Sequence, residues 1–195
     1  MREVENEVIA NNWRRAVFGA LLLLGSMLAG GQEVPDDDQK MPEGRLRLET
    51  LPTTGADYTV MLPAALDGNT PLPLIVALHF GGYAGPHYGR IIAEQLVAPA
   101  YTELGAIVVA PDCVQGSWRD ASCEATVLGV VEHVRQQFPI DRRRIVLTGY
   151  SMGGVGTWEL SARHSHIFSA AVVMAGRPRD ELAVLDWILP LYVIH

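Results

Sequence analysis

The stretch 144–159, RIVLTGYSMGGVGTWE, limits the fold more than any other part of this chain. It begins as a short run of β-branched and apolar residues, passes through the pentapeptide GYSMG, and continues with the residue pattern of a helix. A buried strand that runs straight into a turn and then a helix presents the turn at the carboxyl edge of a sheet. We therefore predict that Ser151, the central residue of the pentapeptide, lies at the tip of a sharp turn.

The glycines around Ser151 have a steric explanation. In so sharp a turn the chain nearly collides with itself, so the residues two before and two after the serine have no room for a Cβ atom. Gly149 and Gly153 occupy those positions, which is typical of a nucleophile elbow. The positive end of the following helix points at the serine, so the Met152 N–H is predicted to stabilise an oxyanion. Glycines 154 and 156 are expected to let that helix lie close to the sheet.

Strands and helices alternate along the rest of the chain. Continuous apolar runs, typical of strands buried on both faces, occur at residues 74–80, 106–110, 145–148, 170–174 and 189–194. The clearest helical spacing lies at 127–138. Residues 45–50 and 58–62 alternate around turn residues, which predicts an antiparallel edge hairpin. The whole pattern predicts an α/β fold: a mostly parallel sheet with helices on both faces and an antiparallel N-terminal hairpin.

The residues before this folded part have a different composition. Within residues 1–31, Arg14 and Arg15 precede an apolar run and small residues, which predicts an export signal or an uncleaved anchor. Residues 32–44 are polar and are expected to form a linker. The domain then occupies 45–195. We expect a periplasmic or extracellular protein, with no stable membrane insertion after cleavage of the signal.

The charge of the chain bears on its partners. The formal net charge is -7, and no basic patch is evident in the sequence. An acidic surface of this kind argues against nucleic acid or anionic lipid as a partner. The sequence contains no signal for a particular oligomeric state.

A glycine-rich loop, His79-Phe80-Gly81-Gly82, ends the first buried strand. A parallel sheet places such a loop at its carboxyl edge, beside the predicted turn at Ser151. The Gly81 N–H is expected to complete an oxyanion hole together with Met152. The alternative is a plain glycine-rich turn in which His79 is a structural, hydrogen-bonding residue.

The order of these motifs resembles that of the α/β-hydrolase superfamily: the His-x-Gly-Gly loop, APDC, the block around Ser151, FSAAVVMAG and LPLYVIH. The chain is most similar to secreted serine esterases of the feruloyl-esterase, polyhydroxyalkanoate-depolymerase and dienelactone-hydrolase-like groups, including prolyl-oligopeptidase-like enzymes, over roughly residues 58–195. The resemblance implies an exported carboxylic-ester hydrolase that forms an acyl-enzyme on Ser151 and needs no cofactor. Its substrate would be a small-molecule or polymer-linked ester. Phe80 departs from the family loop, which usually has glycine there.

The resemblance also implies a catalytic acid and a catalytic base. In the family, Gly-x-x-Asp follows the strand matched by LPLYVIH, and a histidine follows later, whereas this sequence ends at His195, which matches a structural histidine. We therefore expect the N-terminal portion of a longer hydrolase, with a sheet that is incomplete at its C-terminal end. The alternatives are a non-catalytic domain of the same fold that binds a glycan or a protein, and a serine peptidase or acyltransferase.

The chain contains two cysteines, Cys113 and Cys123, which flank a short loop that contains Trp118. In an exported protein they would pair beside the active-site edge, and two buried free thiols are the alternative. Trp118 either lines the substrate pocket or packs in the core. No metal site is predicted, because His164 and His166 have no third ligand nearby in the sequence.

Overall fold

The computed structural model describes residues 45–82, 85–114, 116–178 and 187–195. The predicted export signal and linker, residues 1–44, lie outside the described residues and stay predictions. Within the described ranges, no helix has both the length and the apolar character needed to cross a membrane.

Seven strands of the described chain form one sheet, in the order β1-β2-β4-β3-β5-β6-β7. They are β1 Leu46–Thr50, β2 Asp57–Met61, β3 Leu72–Leu78, β4 Ile107–Pro111, β5 Ile140–Tyr150, β6 Ala170–Met174 and β7 Leu191–Ile194. The first two strands pair antiparallel to each other, β2 pairs antiparallel to β4, and all the remaining pairs are parallel. The predicted α/β fold, with its mostly parallel sheet and its antiparallel edge hairpin, is confirmed.

The helices lie between these strands. They are α1 Gly89–Ile92, α2 Ala98–Tyr101, α3 Ala121–Gln137 and α4 Met152–Arg163, with a π-helical turn at Ala93–Val97 and a 3-10 turn at Thr102–Leu104. Helix α3 begins six residues before the predicted segment 127–138. The reason is Asp120, whose backbone is extended at the N-cap and whose carboxylate accepts the Ser117 N–H at 2.7 Å. This polar first turn lacks the apolar spacing that marks the rest of the helix.

Strand β3 separates two hydrophobic cores. Its residues Leu74, Val76 and Leu78 face a core that includes Val127 and Val130 of α3. The intervening residues of β3 face a second core on the other side, built around the α1–α2 segment. Side chains alternate across a strand, so a run that is apolar at every position must be covered on both faces. The helices therefore pack on both faces of the sheet, as predicted.

Strand β5 lies between β3 and β6 in the sheet and is longer than the predicted run 145–148. Its residues 141–144 are polar and at least partly exposed, so the apolar pattern marks only its buried second half. Within that half, Gly149 pairs with Leu78 of β3 and with Val173 of β6. The strand ends at Tyr150, so Ser151 follows at the carboxyl edge between two parallel neighbours.

Candidate active site

Ser151 has a backbone conformation that residues other than glycine rarely adopt. Its φ is 54° and its ψ is -111°, and the residue is exposed. A conformation of this kind costs of order 1–3 kcal/mol and persists only where the surroundings enforce it. The Ser151 N–H donates to the Met174 carbonyl at 2.9 Å, and the Ser151 carbonyl accepts the Val155 N–H at 3.0 Å. These two hydrogen bonds hold the turn between β6 and α4.

The flanking glycines fill the steric role that the sequence suggests. A Cβ atom on Gly149 would overlap the backbone of Gly153, and a Cβ atom on Gly153 would overlap the carbonyl of Leu78. Both obstacles are backbone atoms, which cannot move aside as a flexible side chain can. The turn at Ser151 can therefore form only while both positions lack a side chain.

Helix α4 approaches its neighbours closely at two further glycines. A Cβ atom on Gly154 would lie 2.5 Å from the Met174 carbonyl oxygen of β6. A Cβ atom on Gly156 would overlap the side chain of Trp118 and lie 3.2 Å from the Leu78 side chain. The predicted close approach to the sheet is thus made by Gly154 directly, whereas Gly156 mainly accommodates the Cβ and Cγ atoms of Trp118.

His79 is a buried hydrogen-bonding residue at the end of β3. Its Nδ1–H donates to the Phe80 carbonyl at 2.8 Å, and its Nε2 accepts the Cys113 N–H at 3.0 Å. The His79 carbonyl accepts the indole N–H of Trp118 at 2.9 Å. Burial lowers the pKa of His79, and the hydrogen bond to Phe80 and the charge of Asp112 oppose that shift only in part. A neutral imidazole with this tautomer satisfies both contacts, which fits the structural role considered for His79.

The loop after β3 lies beside the first residue of α4. Gly81 is exposed, and a Cβ atom built on it would lie 3.7 Å from both the Cβ and the Sδ atom of Met152. The Met152 N–H belongs to the first turn of α4, where N–H groups have no acceptor within the helix. The ring of Phe80 packs against Tyr88 and Tyr150, with centroids 5.6 and 6.2 Å away. The two predicted oxyanion-hole residues are therefore neighbours at the edge where Ser151 lies.

A cleft of about 460 Å³ opens beside Ser151. It is lined by Ser117, Trp118, Arg119, Ser151, Met152, Val155, Ala175, Gly176, Arg177 and His195. Arg119 is ion-paired with Glu159, with Nε 2.9 Å from the carboxylate. The two arginines were not singled out from the sequence, because only the fold brings the loop after Cys113 and the loop after β6 to the same side of Ser151.

Comparisons with known proteins found a protein family and several curated relatives that are similar to part of this chain. The family model described as the prolyl oligopeptidase family matches residues 101–182. Feruloyl esterase C of Emericella nidulans is 27% identical over 167 residues, which cover 80% of this chain and 60% of the relative. Feruloyl esterase D of Neurospora crassa is 26% identical over 129 residues, which cover 61% of this chain and 44% of the relative.

Solved structures share the fold. A thermostable esterase matches with a TM-score of 0.59 at 26% identity, over 77% of this chain and 45% of that structure. A feruloyl esterase module from Clostridium thermocellum, solved with sinapinate, matches with a TM-score of 0.57 at 18% identity, over 70% of this chain and 55% of that chain. The chain therefore has the α/β-hydrolase fold. It spans 44 to 60% of the length of the curated relatives that it matches.

A disulfide joins Cys113 to Cys123, with sulfur atoms 1.99 Å apart. Both cysteines are buried, and the loop that they close carries Trp118, whose side chain has no exposed surface. Trp118 lines the cleft and is also a fully buried member of the core, so the two interpretations of this residue are both compatible with the structure. The pairing connects the end of β4 to the first turn of α3.

The histidines of the chain differ in what they contact. His164 lies 2.6 Å from Glu124, and His133 lies 2.8 Å from Gln137. The imidazoles of His79, His133 and His164 therefore all have hydrogen-bond partners other than Ser151. His195 lines the cleft, and no hydrogen bond joins it to Ser151 among the described residues. The positions of the catalytic acid and base stay a prediction.

One group of side chains in the described ranges has ligand atoms close enough to hold a metal ion. Asp57, His87 and Asp112 place one ligand atom each within 4.8 Å of one another. Sequence reasoning missed this group, because its members meet only in the folded chain: Asp112 follows β4 beside Asp57, and the segment that contains His87 packs against Asp112. Asp112 already accepts the N–H groups of Tyr88 at 3.1 Å and of Gly89 at 2.7 Å, so its carboxylate anchors the start of α1. Burial raises the pKa of Asp112, and these hydrogen bonds oppose that shift.

Proposed function

We propose that this hydrolase cleaves carboxylic esters with Ser151 as its nucleophile. The observation that carries the proposal is the exposed, positive-φ conformation of Ser151 at the carboxyl edge of the sheet, enforced by Gly149 and Gly153. Strain of this kind is retained where a side chain must be presented in one orientation. The relatives named as feruloyl esterases support the choice of an ester as the substrate.

The proposed mechanism proceeds through an acyl-enzyme. The Ser151 hydroxyl attacks the ester carbonyl, and the N–H groups of Met152 and Gly81 stabilise the oxyanion of the tetrahedral intermediate. A general base takes the serine proton and delivers it to the leaving alcohol, and a water molecule then releases the acid. The general base and the acid that orients it are a histidine and an aspartate not yet assigned to positions. The scheme requires no cofactor or metal ion.

Two features support export as part of the proposal. The apolar run within residues 1–31 has the composition of a signal peptide, and residues 32–44 have that of a linker. The disulfide between Cys113 and Cys123 is of a kind that persists in oxidising compartments such as the periplasm and the extracellular space. Small-molecule or polymer-linked esters in that environment are the proposed substrates, and feruloyl esters are the first to test.

A serine peptidase or acyltransferase is the second candidate. The match of residues 101–182 to the prolyl oligopeptidase family favours a peptidase. The proposed mechanism is compatible with that activity, because an acyl-enzyme serves ester and amide cleavage equally. Rates with a feruloyl ester and with a matched peptide amide distinguish these activities.

The decisive experiment is covalent labelling by a fluorophosphonate probe of the protein produced from its complete coding sequence. We expect labelling of the wild-type protein and none of Ser151→Ala. The control is Ser169→Ala, because Ser169 precedes β6 at the opposite edge of the sheet, where its hydroxyl donates to the Ile145 carbonyl at 3.0 Å. Labelling of Ser169→Ala should equal that of the wild type. A wild-type protein that binds glycans or proteins but takes no label would instead support the non-catalytic alternative.

A further inference from the structure

We propose that the cleft beside Ser151 selects esters that carry a carboxylate, and that Arg177 binds this group. The inference rests on the proposed ester hydrolysis, because it specifies the class of substrate. The first observation is that Arg177 and Ser151 line the same cleft.

The described residues that line the cleft carry charge opposite to that of the chain. The whole sequence has 22 acidic and 15 basic residues. The cleft-lining residues in the described ranges nevertheless include Arg119 and Arg177 and no aspartate or glutamate. A cleft lined by one sign of charge raises the local concentration of ligands of the opposite sign. An anionic substrate group therefore has its most favourable position here.

The two arginines differ in how far their charge is already compensated. The Nε atom of Arg119 lies 2.9 and 3.0 Å from the two carboxylate oxygens of Glu159, which orients the guanidinium and offsets its charge. Arg177 is exposed and forms no ion pair with any residue in the described ranges. Arg177 is therefore the guanidinium available to a ligand, and Arg119 has a secondary effect.

The backbone before Arg177 is held in place. Gly176 lies against the backbone of Gly154, because a Cβ atom on Gly176 would be 2.5 Å from the Gly154 carbonyl carbon. The Gly176 carbonyl also accepts the indole N–H of Trp158 at 3.3 Å. The guanidinium of Arg177 thus extends from a backbone that is fixed relative to α4, which is the helix that follows Ser151.

The lining also suits the rest of such a substrate. Val155 and Ala175 supply apolar surface to the same cleft. A guanidinium can bind a carboxylate through two parallel N–H···O bonds, a geometry that an ammonium group cannot reproduce. The carboxylate can belong to the acyl group or to the alcohol, and both would meet the same guanidinium.

The test uses two pairs of esters, each differing by one carboxylate. Phenyl butyrate and phenyl hydrogen succinate differ in the acyl group, whereas phenyl acetate and 4-acetoxybenzoate differ in the alcohol. We expect kcat/KM to be about tenfold higher for the charged member of at least one pair, as a hydrogen bond to a charged group allows. Arg177→Gln should remove this preference, and the preference of the wild type should shrink with added salt. The pair that responds identifies which part of the substrate carries the carboxylate.

The matched control is Arg142→Gln, which removes the same charge from an exposed position near the start of β5, far from the cleft. It should retain the wild-type preference. Equal kcat/KM within both pairs, or a preference that survives Arg177→Gln, would overturn the inference while leaving ester hydrolysis intact.

A second measurement keeps the two proposals separate. Calorimetry with Ser151→Ala gives the Kd of phenyl hydrogen succinate and of phenyl butyrate without turnover. The succinate should bind about tenfold more tightly, and the double variant Ser151→Ala/Arg177→Gln should bind both equally. If the wild-type protein cleaves no ester, the proposed function fails, and this binding ratio alone decides whether the carboxylate site exists.

Discussion

Among single residues, His79 makes the stability of this protein depend on pH. Its pKa is lowered by burial, so between that value and the ordinary value near 6.5 the unfolded chain binds more protons than the folded one. The free energy of unfolding should therefore fall as the pH decreases below about 6.5. Urea denaturation at pH 7.5 and 5.5 should show a larger loss for the wild type than for His79→Gln.

The raised pKa of Asp112 acts in the opposite direction, because its folded form gains protons more readily than the unfolded chain as the pH falls. Asp112 is present in both the wild type and His79→Gln, so the comparison between them isolates the histidine to a first approximation. Parallel losses of stability in the two proteins would contradict the assignment to His79.

Gly153 provides a second prediction for a single residue. Gly153→Ala would place a methyl group against the Leu78 carbonyl, and neither backbone can yield without disturbing β3 or the turn. We expect the free energy of unfolding to fall by about 3 kcal/mol, at the upper end for overpacking. Gly85→Ala is the control, because a Cβ atom there meets nothing within 4 Å, and it should change stability by no more than about 0.5 kcal/mol.

The role of a residue could be predicted from the sequence where that role depends on its immediate neighbours in the chain. Ser151 and its flanking glycines could be predicted because one pentapeptide both bends the chain and carries the hydroxyl. Arg177 and Asp112 could not, because their roles depend on partners from distant parts of the chain. Asp112, for example, accepts the N–H of Gly89, 23 residues earlier.

Among the elements, the loop between β4 and α3 depends on its disulfide. Cys113 and Cys123 are separated by 10 residues, and chain-entropy arguments give a cross-link of that size about 2.5 kcal/mol of stabilisation. The double variant Cys113→Ala/Cys123→Ala should lose about that amount in a denaturant titration. Adding a reductant should destabilise the wild type to a similar extent and leave the double variant unchanged. A wild type that is insensitive to reductant after complete reduction would contradict this prediction.

Element boundaries could be predicted where burial alone determines the pattern. The apolar run 106–110 anticipated β4 to within one residue, since every residue of that strand is buried. The predicted start of β5 was late, because Arg142 and its neighbours belong to the strand yet remain exposed. An apolar sequence pattern indicates burial, so it does not mark the part of a strand that continues beyond the core.

At the scale of the whole molecule, the sheet has an apolar outer strand. In the part of the chain that the structure describes, β7 is outermost on its side, and Tyr192 and Val193 are 45% and 39% exposed. An exposed apolar edge strand is a template for pairing with another chain. Residues 45–195 produced alone should therefore associate in a concentration-dependent way.

Sedimentation velocity tests this expectation directly. Val193→Lys should shift the population of residues 45–195 towards the monomer, because a charged residue on an edge strand opposes pairing. Leu104→Lys is the control: Leu104 is 41% exposed but lies in the 3-10 turn away from the edge, so it should not reduce association. Equal association of all three proteins would place the contact elsewhere.

The contact between Gly156 and Trp118 has a consequence for how this hydrolase can change over generations. The Cβ and Cγ atoms of Trp118 occupy the space that a side chain at position 156 would need, and the disulfide holds the loop that carries Trp118. Every residue except glycine keeps that Cβ atom, so replacing the tryptophan by a smaller residue would not by itself make room. Position 156 should accordingly remain glycine among natural homologues in which residue 118 has a side chain.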